Sequence, residues 1–355
     1  MKFDSALEVQ ARVFREVFEF VEVPAAAGMT PLPGLFVDPA ATVAFEAGGD
    51  PVELPRKQTD EIALGVAEGM GEEDSRLAVL VQDEAVQGSQ IVERIVTLAH
   101  GEAEVLYIGR QDASWTQVRN NPIRLGCSAS PVTVGYAGTM GCFAKDGQTG
   151  HVGVLSNNHV LADVNRVALQ TPIMQPGALD NGNPGRDAVA VLSRFVPIQF
   201  GGVPNAVDAA FATILQHGRQ EDRATLYDSA NVPMPAITVN PSSVATAMPG
   251  MTVFKTGRTT RHTRGRVRAV NVNNYQVNMG IGVARFDNQI LVEMANTPVA
   301  PFSRPGDSGS LIVDGSGQPV ALLFAGSNVG GAGNVGVTGC NPISSVLTQL
   351  GITLI

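Results

Sequence analysis

Two textures of apolar and polar spacing divide this chain. Over residues 3 to 23, Phe3, Leu7, Phe14, Val17, Phe18 and Val21 recur mostly three or four positions apart, with Glu8, Arg12, Arg15, Glu16, Glu19 and Glu22 between them. That period predicts one amphipathic helix. A Pro- and Gly-broken run follows at 24–55, PAAAGMTPLPGLFVDPAATVAFEAGGDPVELP, too interrupted for a helix and too apolar for a solvated linker. It is expected to lie extended along a surface. Residues 61–109 read as a small α+β unit: strands in EIALGVA and RLAVLVQ, a helix in SQIVERIVTLAH, a strand in AEVLYIG.

From about residue 121 the pattern changes to short β-branched runs punctuated by Gly, Asn, Asp and Pro, among them GHVGVLSNN, DAVAVLSRFVPI, VDAAFATIL, TVFKTGRT, NQILVEMAN and PVALLFAG. Spacing of this kind marks a barrel or a sandwich. The looser segment 216–235 splits the strands into two groups, and NPISSVLTQLG near the end reads as a closing helix.

Composition sharpens this picture. With 39 Gly, 22 Pro and only 16% charged residues in 355, the chain favours many short elements joined by tight turns. A formal charge of −9 disfavours nucleic acid as the main partner. No stretch reaches the roughly 18 apolar residues of a spanning helix, and the charged N-terminus lacks the apolar run of a signal peptide, so a cytoplasmic location away from membranes is expected. A reducing compartment would keep Cys127, Cys142 and Cys340 as thiols, although the first two could pair across a hairpin after secretion.

The chemistry concentrates in three places. RPGDSGS at 304–310 sets Ser308 between Gly306 and Gly309, which let the backbone turn tightly enough for amide N–H groups to converge on a developing oxyanion. A serine needs a base to take its proton, and the base needs a third group to fix its tautomer. In VGVLSNNHVLAD an apolar strand runs directly into His159, a setting no other histidine has. In NAVDAAFATIL, Asp208 stands at the mouth of an apolar strand, where an unpaired carboxylate would be costly, and His159 is its candidate partner. Each piece alone is an ordinary turn or strand edge. Their conjunction carries the reading.

The order His159, Asp208, Ser308 resembles that of chymotrypsin-like serine peptidases: GDSGS matches the nucleophile motif, NNHVLA the histidine motif and VDAAFA the aspartate-led strand. LSNNHVLADVN, PIMQPGALDNG and FKTGRTTRHTRGRV further resemble a group of bacterial trypsin-like peptidases. The resemblance implies a mainly β fold, a double β-barrel of chymotrypsin type over 121–355 (barrels at about 121–225 and 236–355), with 1–120 as an N-terminal α+β extension. It implies His159 as general base, Asp208 as its orienter, Ser308 as nucleophile, and the amides of Gly306 and Ser308 as oxyanion hole, acting on protein or peptide substrates without metal or cofactor. It also places Phe302 at the base of the substrate pocket and Gly326 and Ser327 on its wall; no Asp there selects a basic side chain, so a small or apolar residue is expected. A restrained binding or scaffold protein on the same fold is the alternative.

Two further features need a role. Lys255, Arg258, Arg261, Arg264, Arg266 and Arg268 gather in one apparent hairpin, read as a solvated face or as a patch for an acidic partner. The N-terminal helix has an apolar stripe that must pack on its own chain, on a second copy or on a regulatory partner.

Overall fold

The computed structural model describes residues 1–22, 36–37, 39, 57–69, 74–109, 114–216, 218–295 and 300–355. Apart from 36, 37 and 39, the expected extended run at 24–55 lies outside these residues. The chain forms two compact units, Met1–Asp112 and Ala113–Ile355.

In the first unit, α1 (Phe3–Glu16) and α2 (Gln90–Leu98) accompany a three-stranded sheet ordered β1 (Ile62–Glu68), β2 (Ser75–Val81), β3 (Ala103–Tyr107). β1 and β2 are antiparallel, whereas β2 and β3 are parallel and joined through α2, as a parallel pair requires. The stripe of α1 packs on its own unit: Val13, Val17 and Phe18 share a core with Leu77, Val79 and Ile95. The expected helix over 3–23 is shorter than its apolar pattern. The chain turns back at Glu19, whose φ is +59°, so Phe18 and Phe20 fold onto Phe14 at ring separations of 5.5 and 5.8 Å.

The second unit is mainly β, and its strands form two bodies. The first is an eight-stranded sheet built from β4 (Ser128–Pro131), β5 (Gly138–Thr139), β6 (Cys142–Asp146), β7 (Val152–Ser156), β8 (Pro172–Met174), β9 (Ala188–Phe195), β11 (Ala210–Ile214) and β20 (Ile352–Leu354). In space the order is β20-β6-β7-β11-β9-β8-β4-β5. β7 is central, pairing Val154 with both Phe143 and Ala212, which explains its unbroken apolar sequence. The second body is a closed barrel of β12 (Thr252–Gly257), β13 (Arg261–Val272), β16 (Gln289–Met294), β19 (Thr338–Pro342), β18 (Pro319–Gly326) and β17 (Leu311–Asp314), in that order around the ring. A hairpin of β14 (Tyr275–Asn278) and β15 (Val283–Phe286) leaves the barrel, and β15 pairs with β10 (Pro204–Asn205) of the first half. This is the double-barrel architecture expected, with one difference in its tracing. After the closing helix α4 (Ile343–Leu350), the last strand returns to the first body, pairing Thr353 with Lys145.

Period-two alternation accounts for the arginine-rich strand. Along β13, Gly265 and Val267 face the core while Arg264, Arg266 and Arg268 face out. Lys255 and Arg258 depart from the solvated reading, because both are buried. Arg258 forms a two-pronged pair with Asp180, at 2.6 Å from Nε and 2.5 Å from Nη2.

The three cysteines are free thiols, each buried; burial pushes Cys127 up to about 11, Cys142 up to about 12 and Cys340 up as well. The folded protein is therefore expected to give no thiol reaction with a disulfide reagent at pH 8 and three equivalents once denatured. Prompt reaction of the folded protein would contradict this packing.

Candidate active site

The end of β7 delivers His159. Asn157 precedes the one-turn helix α3 (Asn158–Leu161), which carries His159 in its first turn. Two asparagines fix the corner: Asn157 Nδ2 donates to the Asp208 carbonyl at 2.8 Å, and Asn158 Nδ2 donates to Asn165 Oδ1 at 2.7 Å and Val196 O at 2.8 Å. From the solvent side, the Tyr136 hydroxyl donates to His159 O at 2.9 Å.

Asp208, at 0% exposure just before β11, gains no solvation from water. Its carboxylate accepts the His159 main-chain N–H at 3.1 Å and lies 2.5 Å from His159 Nδ1. A carboxylate only accepts, so Nδ1 carries the proton and Nε2 is left as the basic nitrogen. The Asp208 N–H in turn donates to Asn341 Oδ1 at 3.0 Å, and Asn341 Nδ2 donates to Gln289 Oε1 at 2.6 Å. Asn341 and Gln289 belong to the closed barrel, so the aspartate is tied to both β bodies.

The loop at 304–310 can be followed one peptide plane at a time. The 306–307 plane is held at both ends, with Gly306 O accepting from Thr139 Oγ1 at 2.8 Å and Asp307 N donating to Arg304 O at 3.0 Å. So is the 308–309 plane, where Ser308 O accepts from Thr139 N at 2.8 Å and Gly309 N donates to Leu323 O at 2.8 Å. The 305–306 and 307–308 planes are held at their oxygens alone: Pro305 O by Thr259 Oγ1 at 2.8 Å, and Asp307 O by Ser310 Oγ at 2.6 Å and Ser310 N at 3.0 Å. Among the described residues, the N–H groups of Gly306 and Ser308 have no protein acceptor. Both glycines are required by conformation and by space. Gly306 has φ +99° and a Cβ there would meet Thr259 Oγ1 at 2.4 Å; Gly309 has φ +97° and a Cβ would meet the Thr139 oxygen at 2.2 Å.

Beneath this loop Asp307 is wholly buried. Its Oδ1 accepts from Thr259 N at 2.8 Å and Thr260 N at 3.1 Å; its Oδ2 accepts from Thr260 Oγ1 at 2.6 Å, Arg304 N at 2.9 Å and Lys255 Nζ at 3.4 Å. Lys255 has no exposed surface either. Burial pushes its ammonium below the usual range while the Asp307 charge pulls it back up. An internal cation thus neutralises the carboxylate under the loop, with no chain terminus involved.

His159 and Ser308 open onto one cavity of about 620 Å³, with Ser303, Arg304, Gly326 and Ser327 also on its walls. Gly326 and Ser327 line the cavity, whereas Phe302, expected at the pocket base, does not. The Phe302 side chain lies in the barrel core against Gly265 and Val292, beneath the Lys255 ammonium at 5.7 Å. Ser303 takes the place at the wall, its hydroxyl paired with Thr338 Oγ1 at 2.7 Å. The Ser308 hydroxyl faces Phe324 O at 3.5 Å. Sequence reasoning missed Thr139, Asn341 and Lys255, whose bonds to Gly306, Asp208 and Asp307 each span more than 50 positions; only the apolar neighbours of Lys255 hinted at burial.

No protein-family model matches the chain. No curated protein matches it either. Among solved structures, the chain is similar to a glutamic acid-specific serine protease, at 21% identity over 66% of this chain and 100% of that chain, with a TM-score of 0.45. It is also similar to Nocardiopsis protease (20%, 66% and 98%, 0.45) and to Thermobifida fusca protease A (18%, 66% and 98%, 0.43). The two-body β architecture of the second unit rests on its own strand order, an eight-stranded sheet and a closed six-stranded barrel.

Lys255→Met leaves a buried carboxylate without its cation, a change that costs about 3–5 kcal/mol. Thermal unfolding of the variant is expected to show a loss of that size, together with slower labelling of Ser308 by a fluorophosphonate. Unchanged stability and labelling would remove Lys255 from its role beneath the loop.

Proposed function

We propose that the chain is a serine endopeptidase, hydrolysing peptide bonds through an acyl-enzyme. The observation that carries this reading is one cavity lined by both a serine and an imidazole oriented by a desolvated carboxylate, with two N–H groups without protein acceptors in the serine's own loop. In the reaction, Ser308 Oγ swings from Phe324 O towards His159 Nε2, gives up its proton and attacks the substrate carbonyl carbon. The oxyanion that forms is received by the N–H groups of Gly306 and Ser308. His159, now a cation stabilised by Asp208, returns the proton to the leaving amine, and water repeats the sequence on the ester.

Around the pocket, Ser303, Gly326, Ser327 and Val337 offer small, uncharged surfaces, and the sole cationic side chain at its rim is the exposed Arg304. These features favour a small or uncharged side chain before the scissile bond and disfavour Lys or Arg. The buried thiols suit a reducing, cytoplasmic setting. Residues 1–120 carry no proposed catalytic group, and we assign them a restraining or partner-coupling role. A second reading, a catalytically restrained binding protein, draws on the Ser308 hydroxyl being turned to Phe324 O.

Ser308→Ala is expected to abolish both peptide hydrolysis and fluorophosphonate labelling without loss of fold, because it removes a loop hydroxyl and opens no cavity. Turnover retained by this variant would end the peptidase reading; an unlabelled wild-type serine would favour the restrained one. Asp208→Asn should lower kcat by roughly 10⁴-fold, since an amide stabilises the wrong imidazole tautomer. A loss below tenfold would point to another carboxylate. Residues 114–355, if folded, should cleave protein substrates faster than the full chain; equal rates and equal oligomeric state would remove the regulatory role of the N-terminal unit.

A further inference from the structure

The hairpin β14–β15 borders the cavity with its outer strand, and that strand has a partner on one side alone. β14 pairs with β15, while its other edge pairs with no strand among the described residues. Which backbone groups are open follows from the hairpin's hydrogen bonds. Met279 N donates to Gly282 O at 2.9 Å, so 279 and 282 are a hydrogen-bonded pair closing a two-residue turn. In an antiparallel ladder such pairs alternate with non-bonded ones. The register then makes Val277–Ala284 and Tyr275–Phe286 bonded pairs, and Asn278–Val283 and Gln276–Arg285 non-bonded ones. The N–H and C=O of Gln276 and Asn278 therefore point away from β15. No backbone bond to either residue exists among the described residues.

Across the cavity, β18 leaves a second edge open. Ser327 N donates to Val337 O at 2.9 Å, which makes 327–337 a bonded pair and leaves Gly326, opposite Thr338, with its N–H and C=O directed outward. Gly326 and the β14 residues Gln276 and Asn278 line one cavity with Ser308. Tyr275 of β14 and Phe324 of β18 meet edge to face, 6.2 Å between ring centres, which holds the two edges in proximity.

We infer that a substrate is bound as the middle strand of a sheet, with β14 supplying a second backbone ladder opposite the edge at 324–326. This deepens the peptidase reading and rests on it. The occupant is an extended polypeptide of at least four residues before the scissile bond, numbered P1 to P4 outward from it. Successive residues of a strand direct their N–H and C=O to opposite sides. With P1 and P3 facing Phe324 and Gly326, P2 and P4 face Gln276 and Asn278. Folded domains and short esters cannot fill both ladders; an exposed, extended segment can.

The test uses the full-length protein and a set of peptides cleaved at one bond. Each net hydrogen bond is worth about three- to tenfold. Lengthening the substrate from P2 to P4 should raise kcat/KM by at least that factor, and replacing the P2 or P4 amide N–H with an ester oxygen should lower it by a similar factor. Gln276→Pro, which deletes a donor on an open strand edge, should narrow the gap between long and short peptides. Ester replacement at P2 and P4 without effect, alongside a clear loss at P3, would overturn the second ladder while leaving the peptidase standing. A wild-type protein that neither cleaves any peptide nor labels with a fluorophosphonate would instead remove the underlying reading.

Discussion

Two carboxylates without access to water, Asp208 and Asp307, impose the constraint from which the site follows. A buried charge must be met by donors from the protein, and the donors recruited here come from elements far apart in sequence. Asp208 draws in the imidazole and main-chain N–H of His159, and its own N–H is held by Asn341 of the closed barrel. Asp307 draws in the turn Thr259–Thr260, the Arg304 N–H and the Lys255 ammonium. Satisfying them pins both the histidine corner and the serine loop to the same seam between the two β bodies. What is left without a protein partner among the described residues is one imidazole nitrogen and two amide N–H groups.

Thr139 shows how little else the loop needs. Its main-chain N–H and its hydroxyl hold the Ser308 and Gly306 carbonyls, and its own carbonyl accepts from Ser156 Oγ at 2.7 Å, next to the histidine corner. One residue of the first body thereby sets the orientation of two peptide planes in the second. On the proposed peptidase reading, the open edges at Gly326 and at Gln276–Asn278 would hold extended backbone across the serine. Preorganised dipoles of this kind cost no reorganisation during the reaction.

Much of this was legible in the chain because it is local. The glycines around Ser308, the apolar strand ending at His159 and the carboxylate at the mouth of an apolar strand each state their setting within about ten residues, and the strand-rich texture after residue 121 announces the β bodies. What escaped depends on partners distant in sequence. Lys255 looked like one cation of a basic hairpin until its strand placed it under Asp307. Phe302 has the right spacing for a pocket floor, yet alternation along the backbone turns its ring into the core and Ser303 to the wall. The N-terminal helix stops at Glu16 because Phe18 and Phe20 pack better by folding back than by continuing the stripe. The return of β20 to the first body likewise depends on a pairing with β6 that no local pattern encodes.

On the proposed reading, the two N–H groups left without protein acceptors receive the oxyanion formed on Ser308. A crystal structure of the protein after reaction with a peptide boronate or aldehyde tests it directly. The expected result is a covalent bond from Ser308 Oγ to the inhibitor, with its oxygen at about 2.7–3.1 Å from both the Gly306 and Ser308 nitrogens. An adduct whose oxygen lies elsewhere, or a serine that forms none, would contradict it.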